Sequence, residues 1–473
     1  MIRPRYPLCL FALAGLQAFA QSLGPERFFT LAEQSRSAFT VLGAGARATG
    51  AGGAFIAVAD DATAISFNPA GLANLLHPEC SLVMERLEQD QHFTGFESQS
   101  DTGDPITYRD IGSADHRMHP TFFSWALPWK SDGKARVFEI SYQRMFDMGH
   151  ASSVDFWARN TETGKLQLMD QSVNQAGGFG MYSAALGAEL SPRFLVGASL
   201  NVWRGSWAFS SVSSLVTSTS SMTYVSTLSQ SSEFRGLNAN LGLLWRSDYV
   251  QVGLVYRTPF TADYTFEDRY SHPDPDTGQI LQLASPRSTH SLSWPETFGW
   301  GVAIHPSARL HLAVDWSRTP WSRAHFVSPG TDLDGLNFFD FQADTTTRNV
   351  TDLRAGLEWV AWLGDRVVIP LRMGVFREPQ PIVDTRTLQQ RVYRGITLGL
   401  GVKVGNMVVD LAYHDARSDR EVSHYIADAP SGGFSQVSFG REDLKNRRFI
   451  LSFTARIPDD AMRQALSWFF IGG

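Results

Sequence analysis

Cysteine is nearly absent from this chain, which has two cysteines among its 473 residues. Two cysteines cannot form the disulfide framework that holds many small secreted proteins together. The 12 histidines are scattered as well, without the short spacings that bind metal ions. The sequence therefore indicates no metal and no cofactor, and the chain must be stabilised by its own backbone hydrogen bonds and packing.

Long apolar runs and dense charge are also missing. Outside the N-terminus there is no run of about 18 apolar residues. The mean hydropathy of −0.15 and the 19% of charged residues exclude a helical membrane protein. The net charge of −6 is small for this length and argues against a nucleic-acid partner. Aromatic residues (12%), 40 glycines and 13 tryptophans are plentiful, as in membrane barrels with aromatic belts.

Residues 1–20 have the pattern of a signal peptide. Two arginines precede an apolar run that starts at Leu8, and Ala18-Phe19-Ala20 supplies a small-x-small cleavage site. Cys9 lies within the apolar run rather than just after the cleavage site, which excludes a lipoprotein. Cleavage leaves Cys80 as the only cysteine, so we expect no internal disulfide.

From residue 80 onward, apolar and polar residues alternate in short segments. In 396–404 the even positions are Ile, Leu, Leu, Val and Val, whereas the odd positions are Thr, Gly, Gly and Lys. One face of such a strand could meet lipid and the other could not. The pattern predicts an all-β fold, a transmembrane antiparallel β-barrel of about 14 strands over residues 80–457. The strands are predicted near 80–88, 119–128, 135–146, 179–190, 194–204, 236–246, 249–257, 296–305, 308–317, 351–361, 367–377, 393–404, 407–416 and 446–457.

The connections between these strands alternate between short and long. Short ones such as Ser191-Pro192 and Gly405-Asn406 alternate with long ones such as 205–235 and 258–295. This alternation matches the periplasmic and extracellular ends of an outer-membrane barrel. The Ser/Thr-rich composition of 205–235 predicts a mobile, solvated loop. Candidates for aromatic belts, each of which could instead pack within a loop, are Trp129, Trp203, Trp245, Tyr249, Tyr256, Trp294, Trp316 and Trp362.

The segment Gly43–Leu76 differs from the rest of the chain. It is rich in Gly and Ala, and each interior Gly would cost a helix roughly 1 kcal/mol relative to Ala. Apart from a short apolar patch at Phe55–Val58, it lacks the alternation of a strand. Small residues let backbones approach closely, so the segment is typical of compact, irregular chain packed inside a container. Buried backbone needs hydrogen-bond partners, so we expect that container to have a polar lining.

This segment resembles the N-terminal hatch of the FadL-type outer-membrane transporter family, which takes up long-chain fatty acids and aromatic hydrocarbons. The matching pieces are Arg47-Ala48, Gly50, Gly52-Gly53-Ala54, Asp60-Asp61-Ala62 and Asn68-Pro69-Ala70. The resemblance implies that residues 21–79 form a hatch, or plug, inside the barrel lumen. Residues with expected hatch or gating roles are Arg47, Gly50, Gly53, Asp60, Asp61, Asn68, Pro69 and Ala70.

The resemblance also implies a function: an outer-membrane channel for passive uptake of hydrophobic molecules, gated by the hatch. The expected partners are a fatty acid or hydrocarbon ligand and the lipid and lipopolysaccharide of the outer membrane of a Gram-negative-type bacterium, and a monomer is expected. The loops 205–235 and 258–295 would meet the ligand first. A kink in the third strand, about Ala135–Phe146, would open the wall sideways.

Five arginines are predicted on the inward faces of strands: Arg246, Arg257, Arg309, Arg354 and Arg372. One interpretation is that they pair with inward acids, such as Asp315, Glu358 and Asp410, and with the hatch. The other is that one of them contacts the carboxylate of a fatty acid. Inward glycines such as Gly197 and Gly356 would leave room for the hatch or a ligand.

The sequence offers no convincing catalytic grouping, so an enzyme is not expected, although an outer-membrane hydrolase stays open. Asp60 and Asp61 are adjacent and should point apart, which suits ion pairs with Arg47 or with lumen arginines. The hatch segment also resembles PorV-type barrels, which are partners in protein secretion, so a protein-binding scaffold barrel is the alternative function. A soluble secreted β enzyme would need its apolar faces buried against a second sheet. Residues 458–473 are predicted to form a C-terminal periplasmic tail.

Overall fold

The computed structural model describes residues 44–458, apart from 95–96, 100–104, 108–110, 160–165, 218–222, 274–278, 330–333, 336, 338–344, 385 and 428–433. The predicted signal peptide (1–20) and the predicted tail, except Pro458, lie outside the described residues and stay predictions. In the described ranges, no helix has the length and apolar character needed to cross a membrane.

Strands make up most of the described chain. In chain order they are β1 (Glu79–Thr94), β2 (Glu97–Gln99), β3 (Pro105–Thr107), β4 (Ile111–Ser131), β5 (Lys134–Asp147), β6 (His150–Arg159), β7 (Leu166–Ser191), β8 (Phe194–Thr217), β9 (Thr223–Arg246), β10 (Val250–Arg257), β11 (Phe260–Pro273), β12 (Ile280–Trp294), β13 (Thr297–Ser307), β14 (Leu310–Thr319), β15 (Phe326–Val327), β16 (Thr345–Thr347), β17 (Val350–Leu363), β18 (Val367–Asp384), β19 (Gln390–Val404), β20 (Met407–Ala427) and β21 (Phe434–Arg456).

Fourteen antiparallel strands close into a barrel, which confirms the predicted fold class. The circuit runs β1, β4, β5, β7, β8, β9, β10, β13, β14, β17, β18, β19, β20 and β21. It closes because β21 pairs with β1, from Glu79 opposite Arg456 to Thr94 opposite Arg441. All fourteen correspond to the predicted strands, and most run several residues further than predicted.

The alternating side chains take the orientations that the sequence predicts. On β18, Leu371, Met373 and Val375 are 39%, 53% and 52% exposed, whereas Arg372 and Phe376 are buried. Since the apolar face is exposed, it is not packed against a second sheet, as a soluble sandwich would require. The polar and small residues of the other face enclose the lumen, where the core of the molecule lies.

The connections alternate as predicted, but the long ones contain more strand than expected. Turns of two or three residues join strands at one end of the barrel, at 132–133, 192–193, 247–249, 308–309, 364–366 and 405–406. We call this the short-turn end and the other the long-hairpin end. The prediction of a mobile loop at 205–235 is wrong for the described residues. There β8 and β9 continue as a paired hairpin, from Gly205 opposite Phe234 to Val216 opposite Thr223. Likewise, β11 and β12 form a hairpin within 258–295.

The aromatic-belt prediction holds for some residues and fails for others. Trp129, Tyr249 and Trp362 are exposed near the short-turn end, as belt residues would be. Trp203 and Trp294 are each only 5% exposed and lie inside the barrel. Trp203 follows the outward-facing Val202, so the pleat of β8 points its indole into the lumen.

The hatch, as far as the structure describes it (44–78), is a compact chain inside the barrel. It contains helix α1 (Ala46–Gly50), helix α2 (Ala64–Phe67) and a 3-10 helix (Pro69–Asn74), and it leads directly into β1. Helix α1 packs against β18 to β21, and the 3-10 helix packs against β7, β8 and β9. The expected irregular, small-residue hatch is therefore present across the lumen.

Candidate functional site

Asn68 ties the hatch to itself and to the barrel wall. Its side chain is completely buried and caps the 3-10 helix by accepting a hydrogen bond from the Ala70 backbone N–H at 3.1 Å. Its Nδ2 donates to the carbonyl oxygens of Ile56 at 2.9 Å and Leu243 at 3.1 Å. Pro69 occupies the first helical position, where its missing N–H costs nothing. The Asn-Pro-Ala motif thus fixes one side of the hatch on β9.

Backbone contact holds the hatch closely against the wall. A Cβ atom on Gly197 of β8 would lie 2.2 Å from the carbonyl carbon of Pro69, and one on Gly356 of β17 would lie 2.0 Å from the carbonyl oxygen of Ala51. Side chains at these positions would displace the hatch. Of the two expected uses of the inward glycines, room for the hatch is the one observed at Gly197 and Gly356.

An ion-pair chain joins the opposite side of the hatch to the wall. The Arg47 guanidinium pairs with Asp60, with Asp61 at 3.2 Å and with Glu358 of β17 at 3.2 Å. Glu358 also pairs at 2.6 Å with Arg372, which pairs at 2.6 Å with Asp410. Burial opposes the charge of Arg47, but Asp60, Glu358 and Asp61 together raise its pKa well above the ordinary value. The predicted pairing of Asp60 and Asp61 with Arg47 is confirmed.

The wall also supplies hydrogen bonds to the hatch backbone. Asp315 of β14 accepts from the N–H groups of Phe55 at 2.6 Å and Ile56 at 2.8 Å. Thr397 of β19 accepts from the Gly52 N–H and donates to the Gly50 carbonyl oxygen, both at 2.9 Å. These bonds confirm the expected polar lining.

Aromatic side chains fill the lumen on the long-hairpin side of the hatch. Trp294 lies at their centre, with ring centroids 5.1 to 6.2 Å from six other rings. The aromatic cluster consists of Phe146, Phe179, Trp203, Trp207, Phe234, Phe260, Tyr264, Trp294, Trp321 and Phe326. Its members come from strands and a short 3-10 helix that are far apart in the sequence, and they meet only in the closed barrel.

A cavity of about 120 Å³ lies between the hatch and the aromatic cluster. The cluster provides its apolar wall through Phe146, Trp203, Phe260, Trp294 and Trp321. The hatch provides part of the opposite side, and charged residues of the barrel complete it: Arg257, Asp315, Asp352, Arg354 and Glu378. The site is therefore apolar on one side and charged on the other, a combination typical of small-molecule pockets.

The structure separates the five predicted lumen arginines. Arg257 and Arg354 line the cavity. Arg372 is buried in the ion-pair chain, and Arg246 donates to Asn74 of the hatch at 2.5 Å near the short-turn end. The prediction is wrong for Arg309, because β13 continues to Ser307 and leaves Arg309 exposed in the following turn. Pairing with acids and with the hatch, the first interpretation, accounts for Arg354, Arg372 and Arg246, and Arg257 also donates to the hatch at the Ser66 carbonyl oxygen.

The backbone ladder of the barrel wall is interrupted between β4 and β5, where β6 lies beside β4 without pairing with it in the described part of the chain. β4 pairs with β1 as far as Ile111, but its ladder with β5 begins only at Phe122, opposite Gln143. Immediately beyond Gln143, β5 shifts register against β7 around Met145, which is a β-bulge. Among the described residues, β6 pairs with β7 and not with β4. The third barrel strand thus carries an irregularity where the family resemblance implies one.

A second cavity, of about 40 Å³, lies beside this interruption. It is lined by residues of the hatch and of β1, β4, β5 and β21, and it shares Thr49 and Met145 with the first cavity. An ion pair of 2.7 Å between Arg117 of β4 and Asp147 of β5 crosses the interruption. The two cavities therefore outline a path from the lumen to the wall, with a polar bridge at its end.

The aromatic cluster was not predicted from the sequence as a site. The signal was present in part: Trp203 and Trp207 have odd numbers on β8, where even positions face outward. Trp294 and Trp321 gave no such signal, since they lie at the end of a hairpin and in a short 3-10 helix (Trp321–Arg323).

Known proteins share this fold at low sequence identity. No protein-family model matches the chain, and no curated protein matches its sequence. A FadL homologue from Pseudomonas aeruginosa is 17% identical over 86% of this chain and 96% of its own, with a TM-score of 0.59. The toluene transporter TodX of P. putida is 14% identical over 88% and 99%, with a TM-score of 0.59. The toluene transporter TbuX of Ralstonia pickettii is 14% identical over 89% and 100%, with a TM-score of 0.55. The chain thus has the FadL-like fold.

Proposed function

We propose that the chain is a bacterial outer-membrane channel for passive uptake of small hydrophobic molecules, gated by its hatch. The observation that carries the proposal is the aromatic-walled cavity enclosed between the hatch and the long-hairpin end of the lumen. The exposed apolar faces of the strands suit a membrane. The FadL-like fold is shared with proteins described as toluene transporters, which supports this interpretation by analogy.

The geometry supports a route in three steps. A hydrophobic molecule enters from the long-hairpin end and rests against the aromatic cluster, held by roughly 25 cal/mol per Å² of buried apolar area. Movement of the hatch near Thr49 then opens the way to the second cavity, which shares that residue. The molecule leaves through the interruption between β4 and β5 when the Arg117–Asp147 bridge opens. Each step runs down a concentration gradient.

The test is mass spectrometry of small molecules that co-purify with the full chain from its native membrane, combined with uptake by a strain that lacks the chain. The proposal predicts a bound hydrocarbon or fatty acid and slower uptake of that compound by the deletion strain. Unchanged uptake and no bound lipid, with a protein partner isolated instead, would contradict the channel and support the scaffold-barrel alternative.

A further inference from the structure

Arg257 is a charged residue of the cavity without a direct ion-pair partner among the described residues, since Asp352 attracts it only from a longer distance and pairs with Arg354. It ends β10, lines the cavity, and its Nη2 donates to the Ser66 carbonyl oxygen at 2.9 Å. Among the described residues, no carboxylate lies within ion-pair distance of it. A guanidinium has five N–H donors, so several remain for a ligand.

The other charged residues on this side of the cavity each have a protein partner, although one oxygen of Asp315 and one of Glu378 accept no hydrogen bond from the described residues. Asp315 accepts hydrogen bonds from the backbone N–H groups of Phe55 and Ile56 in the hatch. Arg354 pairs with Glu378 at 2.9 Å and with Asp352 at 3.5 Å. Because the half-buried Arg257 guanidinium makes no direct ion pair with the described residues, the pattern leaves a place for one carboxylate at Arg257.

The apolar wall favours an aromatic ring over an alkyl chain. Trp203 and Phe260 are stacked with centroids 5.5 Å apart, and Phe260 lies 6.0 Å from Trp294. Ring–ring contacts add about 0.5–1.5 kcal/mol beyond the area they bury. The cavity volume of about 120 Å³ is close to the roughly 150 Å³ of an engineered protein cavity that binds benzene. By this comparison the cavity has room for a single aromatic ring.

The second cavity also suits a ligand with a polar group. Its lining includes Glu85, His119, Arg144, Asp147 and Arg448 beside a few apolar side chains. A pure hydrocarbon offers these groups no hydrogen bond, whereas a ligand with a carboxylate can bond to arginines along the path.

We propose that the cavity binds a single-ring aromatic carboxylic acid, with its ring against Trp203, Phe260 and Trp294 and its carboxylate on Arg257. This assignment rests on the proposed uptake function and names its substrate class. Arg257 then serves two groups, the hatch carbonyl of Ser66 and the carboxylate of the ligand, so ligand binding and hatch position are coupled.

The experiment is isothermal titration calorimetry on the full chain purified in detergent, with three probes: 4-ethylbenzoate, ethylbenzene and heptanoate. 4-Ethylbenzoate should bind at least tenfold more tightly than either of the other two. Arg257→Gln should weaken the binding of 4-ethylbenzoate by about 10- to 100-fold, as expected for the loss of a hydrogen bond to a charged group. The affinity for ethylbenzene should change less than twofold. Arg257→Lys should restore part of the loss. Arg309→Gln, the matched control, removes an arginine that is exposed in the turn between β13 and β14 and should change neither affinity.

Three results would overturn the assignment. They are an unchanged affinity of Arg257→Gln for 4-ethylbenzoate, equal affinities of the wild type for 4-ethylbenzoate and heptanoate, or equal losses of all probes in both Arg257 variants. Tight ethylbenzene binding in any of these cases would leave the uptake proposal standing. Failure of all three probes to bind the wild type would contradict both proposals.

Discussion

Asn68 shows how one side chain can hold a buried, irregular segment. It makes three hydrogen bonds, two of them to carbonyl oxygens of different segments, from a fully buried position. Removing it leaves those carbonyls and the Ala70 N–H without this partner, and each unsatisfied buried group costs about 1–3 kcal/mol.

We therefore expect Asn68→Ala to destabilise the docked hatch by roughly 2–4 kcal/mol while the barrel stays folded. Hydrogen exchange of hatch amides, read by mass spectrometry, measures this. Asn74→Ala is the control: Asn74 is only half-buried, its Nδ2 donates to Ala59 at 3.2 Å and its Oδ1 accepts from Arg246 at 2.5 Å, so water can replace these bonds. Equal exchange in both variants would show that Asn68 does not anchor the hatch.

Glu358 is the residue through which the barrel wall holds Arg47. Glu358→Gln should weaken the tie between hatch and wall, because both Arg47 and Arg372 lose a charged partner. Arg47 keeps Asp60 and Asp61, and Arg372 keeps Asp410, so the barrel should still assemble. In planar bilayers, we expect ion-conducting openings of the variant to be at least tenfold more frequent than those of the wild type. This corresponds to a change of about 1.4 kcal/mol in the free energy of opening.

The control for this measurement is Glu88→Gln. Glu88 pairs with Arg86 at 2.8 Å and with Arg447 at 3.7 Å, both on barrel strands and away from the hatch. If Glu88→Gln raised the number of opening events as much as Glu358→Gln, the ion-pair chain would not be the tie that closes the channel.

Among the elements, β5 differs from a regular barrel strand because it carries a bulge at Met145. Arg144 lies opposite Gly180, and Phe146 lies opposite Phe179, so Met145 is the extra residue. Deleting Met145 would restore a regular ladder and keep the pairing of the following residues with β7. We expect the deletion to reduce ligand uptake at least fivefold with unchanged heat stability of the barrel.

Met145→Leu preserves both the bulge and nearly the same side-chain volume, so it should take up ligand like the wild type. Uptake can be followed with radiolabelled ligand in cells, and folding by the shift in gel mobility on heating. Wild-type uptake in the deletion variant would mean that the ligand does not leave through this part of the wall.

The strands and the candidate site differed in how far the sequence predicted them. Alternation is a local property, so the position of Thr397 between Ile396 and Leu398 is enough to place its side chain inside the barrel. The turn near Arg309 could not be placed in this way. If β13 or β14 is two residues longer or shorter, the alternation of inward and outward side chains stays the same. The surroundings of Arg257 were equally hidden, since ion pairing depends on which strands lie opposite each other and where the hatch crosses them.

In the barrel as a whole, the hatch and the aromatic cluster divide the lumen. The hatch is fixed by Asn68 and the 3-10 helix on the side of β7 to β9, and by Arg47, Asp315 and Thr397 on the other side. The aromatic cluster fills the long-hairpin side, and the main cavity lies between the two within the described part of the chain. Any molecule that crosses the barrel by the proposed route must occupy it.

The most direct test of the proposed path is to fill that cavity. Thr319 lines it, and Thr319→Trp places an indole there, whereas Thr351→Trp places the same ring on the outward side of β17, in phase with Leu353. Uptake of radiolabelled ethylbenzene and 4-ethylbenzoate would be compared in a deletion strain that carries each variant at equal outer-membrane abundance. We predict that Thr319→Trp reduces uptake to the level of the deletion strain and that Thr351→Trp matches the wild type. Wild-type uptake with Thr319→Trp would show that the cavity between the hatch and the aromatic cluster is not the path.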